Sequence, residues 1–412
     1  QTVSVGGSAD DAGRPADGTG GATGRRRPPT GRSGRLLAAA GRGVTAARPV
    51  LFLLPVTALV AAFTVPSYHP GSPLFAYLLR VAVAGLVLVG AVAWWWAARR
   101  GRGGGVDLAP ALLGGVAGLA VAGALHRTPF APGGIAGDQS FRTAAITRFA
   151  DSWHNADFTF HGLPSFYAPG YFWVLGRVAA LGDLEPWRMT KYGTVAAALL
   201  VPVVSYLLWR RLVDPRVAAL LGAVPLVLEN VYEPYAWLVI TAIVPWWLEA
   251  VHGLRRGGAR PGHPVGLGLV GAALFLTYYY FFLVAGFALV VYLVGERVLG
   301  RPVRPTLRRA VAVLGVAAAA SAVFWLPLAV SLLAADHPRS LANRWFNAGH
   351  ASFPLPFLDA SVVGAVALLG LVHLVWTAWR EPLSRGLLAF LVAGYLWYLV
   401  GAPAAVADAP LL

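Results

Sequence analysis

The sequence predicts an all-α, polytopic membrane protein. Hydrophobic residues occupy 57% of the 412 positions and charged residues 12%, whereas soluble domains carry about 25% charged residues. The mean hydropathy is +0.63, and the apolar residues are gathered into runs near the length that crosses a bilayer as a helix, about 20 residues. Arginines are concentrated between these runs, which is typical of loops on the cytoplasmic side of a membrane.

Eleven apolar runs are predicted to span the membrane. The seventh and eighth runs are divided at Thr277 to Tyr279, within LFLTYYYFFLVAG. Without that division there would be ten spans, and the arginine-rich loops would not alternate consistently between the two sides. The runs are 48–66, 74–98, 107–125, 192–212, 215–230, 235–253, 265–277, 279–299, 309–334, 359–379 and 386–407.

Charge placement orients these spans. The arginine-rich loops WRRLVDPR (209–216) and GRPVRPTLRR (300–309) share one side with the N-terminal segment, and that side is predicted to be cytoplasmic. Residues 1–48 hold few large apolar side chains and predict a disordered, basic cytoplasmic tail. The net charge of +15 therefore indicates orientation in a lipid bilayer rather than nucleic-acid binding. We expect a multi-pass plasma-membrane protein of undetermined oligomeric state.

Two long outer loops, 126–191 and 335–358, are the predicted location of the functional site. Loops of this length are usually functional or disordered, and the first is rich in aromatic residues and prolines, which favours order. An amphipathic surface helix is predicted near its start, because apolar side chains recur there every three to four residues. The predicted face consists of Phe141, Ala145, Phe149 and, at its end, Ser152 or Trp153.

The same stretch concentrates charge. Asp138 stands where this helix begins, so an N-cap is its ordinary interpretation. Arg142 follows four residues later, and an i, i+4 ion pair is the corresponding interpretation there; Arg148 and Asp151 could pair in the same way. Accumulation favours a polar pocket, because one loop holds five of the chain's 18 acidic residues and ends at Lys191, the single lysine. The five are Asp138, Asp151, Asp157, Asp183 and Glu185.

Known catalytic and metal motifs are absent from the sequence. It has no cysteine, no HExxH, no EF-hand loop and no P-loop. The second outer loop carries Arg344 and His350, cations that run against the positive-inside trend and could bind an anion. Glu233, in LENVYEPYAW, lies at a short outer turn and could reach the same cavity. Glu249 falls within a span, where a lone carboxylate is costly, and is interpreted as a structural residue.

Four segments resemble one known family. They are GDQSFR (137–142), FADSW followed by ADF (149–158), LPSFYAPGYFWVLGR (163–177) and EPWRMTKYG (185–193). In combination they resemble the N-terminal membrane domain of the actinobacterial galactan 5-O-arabinofuranosyltransferases, over roughly residues 105 to 405. The resemblance implies a GT-C glycosyltransferase fold across residues 49–408. It also implies a decaprenyl-phospho-arabinofuranose donor and, as acceptor, the 5-hydroxyl of galactofuranose in cell-wall galactan.

The resemblance gives the charged residues expected roles. Asp138 is the expected general base of a single inverting displacement, and Asp157 is the alternative for base or acceptor binding. The expected substrate-binding residues, chosen by charge and by side of the membrane, are Arg142, His161, Tyr167, Lys191, Glu233, Arg344 and His350. No metal ligand set is predicted, although some GT-C enzymes hold a divalent cation on aspartate. The tyrosine-rich TYYYFF (277–282) is interpreted as an interfacial belt, with sugar stacking as the alternative.

Members of this family continue into an extracytoplasmic C-terminal domain, which the sequence lacks; we therefore expect a fragment or a split protein. Two other functions fit the sequence. One is a flippase or transporter of a polyprenyl-linked sugar, although no internal repeat of the kind common in transporters is found. The other is a different GT-C transferase that uses a related lipid donor, for example a mannosyltransferase.

Overall fold

A computed structural model describes residues 32–64, 73–99, 106–159, 165–227, 230–256, 262–334 and 355–406. The chain divides into two units, residues 1–47 and 48–412. The described residues of the first unit are helical. Thirteen α-helices occur in the described ranges: α1 (Arg32–Thr64), α2 (Pro73–Arg99), α3 (Ala109–Ala124), α4 (Asp138–Asp151), α5 (Gly170–Leu181), α6 (Met189–Trp209), α7 (Pro215–Val227), α8 (Pro234–His252), α9 (Pro264–Thr277), α10 (Tyr280–Val298), α11 (Arg304–Ala334), α12 (Val362–Ala378) and α13 (Pro382–Val406).

Eleven of these helices coincide with the predicted apolar runs, and the other two, α4 and α5, lie in the predicted first outer loop. Five helical segments of the described chain are long and apolar enough to cross a membrane, and several shorter apolar helices accompany them. The five are Pro186–Trp209, Pro234–His252, Tyr280–Val298, Arg304–Ser331 and Pro382–Leu399. The protein is therefore a helical membrane protein, and the number of eleven crossings stays a prediction.

Helix α1 begins at Arg32, inside the segment predicted as a disordered tail. Residues 1–31 of that predicted tail lie outside the described residues.

Large apolar side chains cover the outer surface of α12. Val362, Val363 and Trp376 are 82%, 70% and 75% exposed. Monomeric soluble proteins rarely expose contiguous apolar patches of this kind, whereas lipid tails solvate them. The surface of this helix thus supports a bilayer environment independently of its length.

The division between α9 and α10 is found where it was predicted. Helix α9 ends at Thr277, and Tyr278 adopts an extended conformation with φ −163° and ψ 106°. Its amide still bonds to the carbonyl of Leu274 at 2.9 Å, which closes the last turn before α10 begins at Tyr280. The break places a run of tyrosines at the junction of two helices.

Helix α8 forms the centre of the larger core. Trp246 and Trp247 are 1% and 2% exposed, and each indole N–H donates to a backbone carbonyl, that of Leu267 at 2.9 Å and that of Ala285 at 3.1 Å. Elsewhere α3 packs closely on α6. At Gly114 the two backbones are so near that a side chain would collide with the carbonyl of Leu199. Small residues allow such close approaches between helices in membranes.

The amphipathic helix predicted in the first loop is α4, and only part of its predicted face is buried. Phe141 and Trp153 are 43% and 67% exposed, whereas Ala145 and Phe149 are buried as expected. The full buried face consists of Gln139, Arg142, Ala145, Ile146 and Phe149. Two of these side chains are polar, so hydrophobic periodicity alone could not locate this face. The predicted pair of Arg148 with Asp151 is not among the ion pairs of the described residues.

Candidate functional site

Arg142 lies at the centre of a network that joins α4 to the start of α8. Its side chain is 3% exposed. Nη1 donates to the carbonyl of Tyr232 at 2.7 Å, Nε to the hydroxyl of Tyr235 at 3.2 Å, and Nη2 to Oε1 of Glu233 at 3.0 Å. The Tyr235 hydroxyl donates in turn to the same Glu233 oxygen at 3.2 Å. We call Asp138, Arg142, Tyr232, Glu233 and Tyr235 the Arg142 cluster.

The two acids of this cluster differ in exposure. Nη2 of Arg142 lies 3.7 Å from Oδ2 of Asp138, and the Asp138 side chain is 56% exposed. The Glu233 side chain is 32% exposed and makes the closer ion pair, at 3.0 Å. Asp138 therefore keeps contact with solvent while a buried guanidinium lies beside it.

The N-cap interpretation of Asp138 is wrong. Gly137 is the N-cap residue of α4, with φ 57° and ψ −133°, and no side chain caps the helix by a hydrogen bond. Asp138 is the first helical residue, where its charge still suits the helix dipole. Its carboxylate is not used for capping, and apart from the 3.7 Å contact of Oδ2 with Arg142 it faces solvent.

The turn before α4 is held against the cluster by Gln139. Its side chain is 2% exposed, and Nε2 donates to the carbonyl of Pro132 at 2.7 Å. Gly133 has φ +87°, and a Cβ there would lie 2.9 Å from the ring of Tyr232. Glycine at this position thus satisfies both a left-handed backbone and a close approach.

Aromatic rings form one wall of the site. The Tyr235 ring lies 5.2 Å from that of Phe172 and 5.5 Å from that of Tyr278, between ring centroids. Tyr167 contacts Phe172 at 6.1 Å. Burial raises the pKa of the Tyr167 hydroxyl, and the negative charge of Asp138 raises it further. The Tyr167 hydroxyl is therefore neutral and can donate a hydrogen bond, and it lies close enough to the Arg142 cluster to interact with its charges.

The structure brings together four of the residues predicted from sequence: Asp138, Arg142, Glu233 and Tyr167. Lys191 is placed in a structural contact, because its side chain is 4% exposed and Nζ donates to the carbonyl of Thr128 at 3.0 Å.

Asp157 is also largely buried, at 8% exposure. Its Oδ1 accepts the backbone N–H of Thr159 at 2.7 Å, a contact that shapes the local turn. His161, Arg344 and His350 lie outside the described residues.

Sequence reasoning missed the tyrosines. Tyr232 and Tyr235 flank Glu233 in VYEPY, and Tyr278 lies in the segment interpreted as an interfacial belt. The available signal was the tyrosine on each side of a loop carboxylate. Because interfacial belts show the same composition, that signal did not distinguish a site from a belt.

The carboxylates of the Arg142 cluster do not fit a divalent cation. Asp138 and Glu233 both face the guanidinium of Arg142, so a cation between them would meet a buried positive charge. Within the described ranges, no three His, Cys, Asp or Glu side chains are grouped closely enough to hold a metal. The arrangement is better suited to proton transfer, with a partly exposed carboxylate, a fixed positive charge and neutral hydroxyl donors around it.

Fold and site together define a helical membrane protein with an acid, arginine and tyrosine site where a loop helix meets a membrane helix. A family model described as "Arabinofuranosyltransferase N terminal" matches residues 42–412. The chain belongs to this family.

Curated relatives carry the name galactan 5-O-arabinofuranosyltransferase. The protein from Mycobacterium tuberculosis (strain H37Rv) is 34% identical over 355 residues, which cover 80% of this chain and 52% of the relative. The one from Mycobacterium leprae is 30% identical over 301 residues, covering 68% and 47%. That of Corynebacterium glutamicum is 32% identical over 260 residues, covering 59% and 37%. The chain thus spans about half the length of the curated relatives it matches.

Proposed function

We propose that this protein is a GT-C glycosyltransferase that moves arabinofuranose from decaprenyl-phospho-arabinofuranose to the 5-hydroxyl of galactofuranose in cell-wall galactan. The names of its relatives support the sugar and the acceptor. The observation that carries the mechanism is the 56% exposed carboxylate of Asp138, held 3.7 Å from a buried arginine. The protein lies in the plasma membrane with eleven crossings, a cytoplasmic N-terminal side and an extracytoplasmic site.

Asp138 is the proposed general base. It takes the proton of the acceptor hydroxyl as that oxygen attacks the anomeric carbon of the arabinofuranose. The bond from that carbon to the phosphate oxygen breaks, and decaprenyl phosphate leaves with the bonding electrons. Attack opposite the leaving group inverts the anomeric centre, and no second carboxylic acid is needed because phosphate leaves readily.

Arg142 acts as a positioning residue in this mechanism. Its Nε, Nη1 and Nη2 already donate to Tyr235, Tyr232 and Glu233, so binding the donor phosphate would cost one of these buried contacts. It holds Asp138 in place and keeps positive charge next to the base. Lys191, bonded to Thr128, likewise supports the loop rather than the donor.

Hydroxyl and cationic groups remain for the departing phosphate. Tyr167 offers a neutral donor near Asp138, and Arg344 and His350 of the second loop are the proposed cations. His161 of the first loop is also proposed to bind the substrate. Asp157, whose carboxylate holds a turn, is the second choice for the base.

A transfer assay tests this proposal. Membranes containing the protein receive labelled decaprenyl-phospho-arabinofuranose and a galactofuranose oligosaccharide. We expect transfer by the wild type and a loss of roughly 10²- to 10⁴-fold in Asp138→Asn, the range typical of general base catalysis. Asp151→Asn is the matched control, because Asp151 is an exposed aspartate at the other end of the same helix.

Other outcomes point to other functions. Unchanged transfer in Asp138→Asn contradicts the assignment of the base. Movement of the labelled donor across the membrane without transfer favours a flippase, and transfer of a different sugar favours another GT-C enzyme.

A further inference from the structure

A second concave surface lies on the opposite side of α4 from the Arg142 cluster. It is an open groove of about 620 Å³, bounded by α4, the segment after α3 and the short helical turn Pro186–Arg188. We call this surface the α4 groove.

Three hydroxyl side chains of α4 line this groove. Ser140, Thr143 and Thr147 are spaced by three and four residues, so they share one face of the helix. Arg142 and Phe149 belong to the buried face on the other side. The thickness of one helix, about 10 Å across with its side chains, therefore separates the groove from the Arg142 cluster.

Each of these hydroxyl groups already donates a hydrogen bond to a backbone carbonyl. Ser140 donates to the carbonyl of Gly137 at 2.6 Å, Thr143 to that of Gln139 at 2.8 Å and Thr147 to that of Thr143 at 2.9 Å. Their oxygens keep lone pairs that can accept further hydrogen bonds. The lining of the groove is largely apolar, and these three oxygens are hydrogen-bond acceptors on it that complement hydroxyl donors of a ligand.

Aromatic rings form the facing wall. The Trp187 and Phe130 rings lie 5.4 Å apart between centroids, and both line the groove. The guanidinium of Arg188 also lies 4.9 Å from the centre of the Trp187 ring. None of the residues that line the groove is charged, so the surface favours a neutral ligand over a phosphate.

Neutral hydroxyl donors and apolar C–H faces occur together in sugars. We propose that the α4 groove binds sugar units of the acceptor polysaccharide at a distance from the unit that reacts at Asp138. The indole and phenyl rings stack on the C–H faces of these units, while Ser140, Thr143 and Thr147 accept hydrogen bonds from their hydroxyl groups. This inference rests on the proposed function, because it takes the acceptor to be a long neutral glycan.

Acceptor length provides the test. Transfer is measured in full-length protein with a galactofuranose disaccharide, which reaches only the Asp138 site, and with a galactofuranose octasaccharide, which also reaches the groove. Trp187→Ala removes the aromatic wall, and Thr143→Val combined with Thr147→Val removes two acceptors at constant shape. Trp153→Ala is the control, because Trp153 is an exposed tryptophan beyond the C-terminal end of α4 that does not line the groove.

We expect the KM for the octasaccharide to rise about tenfold in Trp187→Ala, as loss of an aromatic contact typically costs, and a few-fold in the double variant. The KM for the disaccharide, the kcat and the KM for the donor stay at wild-type values, as do all parameters of Trp153→Ala. Equal changes for both acceptors, or no change for either in the double variant, overturn the inference.

Direct binding separates this inference from the proposed transfer reaction. If the wild type transfers no arabinofuranose, the proposed function fails, and the groove is tested by titrating the octasaccharide while following tryptophan fluorescence. Saturable binding that is weakened in the Thr143→Val and Thr147→Val double variant supports the groove on its own. No binding by the wild type overturns it.

Discussion

Helix α8 has a charge cluster near each end, and the two clusters have opposite arrangements of charge. At its start, one arginine, Arg142, lies between the carboxylates of Asp138 and Glu233. Near its end, one carboxylate, Glu249, lies between Arg211 and Arg255, each with a nitrogen 2.7 Å from a Glu249 oxygen. Glu233 and Glu249 are 16 positions apart, a rise of about 24 Å along a helix. The clusters therefore lie near opposite ends of a helix that is long and apolar enough to cross a membrane.

The two clusters differ in the exposure of their carboxylates. We call Glu249, Arg211 and Arg255 the Glu249 cluster and interpret it as structural. Glu249 is 2% exposed, and it also accepts the backbone N–H of Gly262 at 3.0 Å while Arg309 donates to its carbonyl. This cluster ties several helix ends together and leaves its carboxylate no room for a substrate. In the Arg142 cluster it is the cation that is buried, and the Asp138 carboxylate meets solvent, where a substrate can reach it.

The largest effect is expected at Arg142. Arg142→Met leaves Glu233 and the Tyr232 carbonyl without their buried partner, so we expect a loss of about 3 kcal/mol in the free energy of unfolding. Transfer is expected to fall at least as far as in Asp138→Asn. Arg142→Lys should recover part of the stability but little of the activity, because an ammonium cannot reproduce the forked contacts. Thermal unfolding in detergent and the transfer assay measure the two losses.

Removing the charge of Glu249 tests whether its cluster stabilises the fold without taking part in the reaction. Glu249→Gln leaves Arg211 and Arg255 facing a neutral amide, and we expect a loss of about 2–3 kcal/mol in the free energy of unfolding with unchanged kcat per folded molecule. Glu381→Gln, at an exposed carboxylate near α13, is the matched control. A fall in kcat of tenfold or more in folded Glu249→Gln would show that the two clusters are coupled.

The smallest effect concerns the ionisation of Tyr167. Its pKa in the folded protein is raised above 10.0, chiefly by burial. The contribution of its protonated form to stability is therefore fully present below pH 10 and is lost as the pH rises through the folded value. In an ultraviolet difference titration, wild type minus Tyr167→Phe should show one phenol that ionises later than an exposed tyrosine. Ionisation at the ordinary value contradicts the burial of this hydroxyl near Asp138.

Most helix positions were predictable because a bilayer fixes the length of apolar segments that can cross it. The eleven runs, the break near Tyr278 and the helix at Asp138 all follow from local sequence, and all are present. The buried face of α4 was not predictable from periodicity. Gln139 and Arg142 are buried because distant groups, Pro132, Tyr232 and Glu233, satisfy them, and a local pattern does not contain such partners.

The sequence predicts Asp138, Arg142 and Glu233 as site residues from the accumulation of charge in the outer loops and from the family resemblance. The structure places the three side chains together, and their roles stay predictions. The buried contacts of Arg142 and Lys191 were not predictable, since their partners, Glu233 and Thr128, are far away in the sequence. The tyrosines were obscured by their likeness to an interfacial belt.

One paired measurement tests whether exposure of the carboxylate separates a reacting cluster around Asp138 from a structural cluster around Glu249. Transfer rate and thermal stability are determined in parallel for Asp138→Asn and Glu249→Gln. The comparison predicts that Asp138→Asn loses transfer at least 100-fold with an unchanged unfolding temperature, whereas Glu249→Gln unfolds at a lower temperature and keeps its rate per folded molecule. An Asp138→Asn protein that transfers arabinofuranose at the wild-type rate would contradict the account.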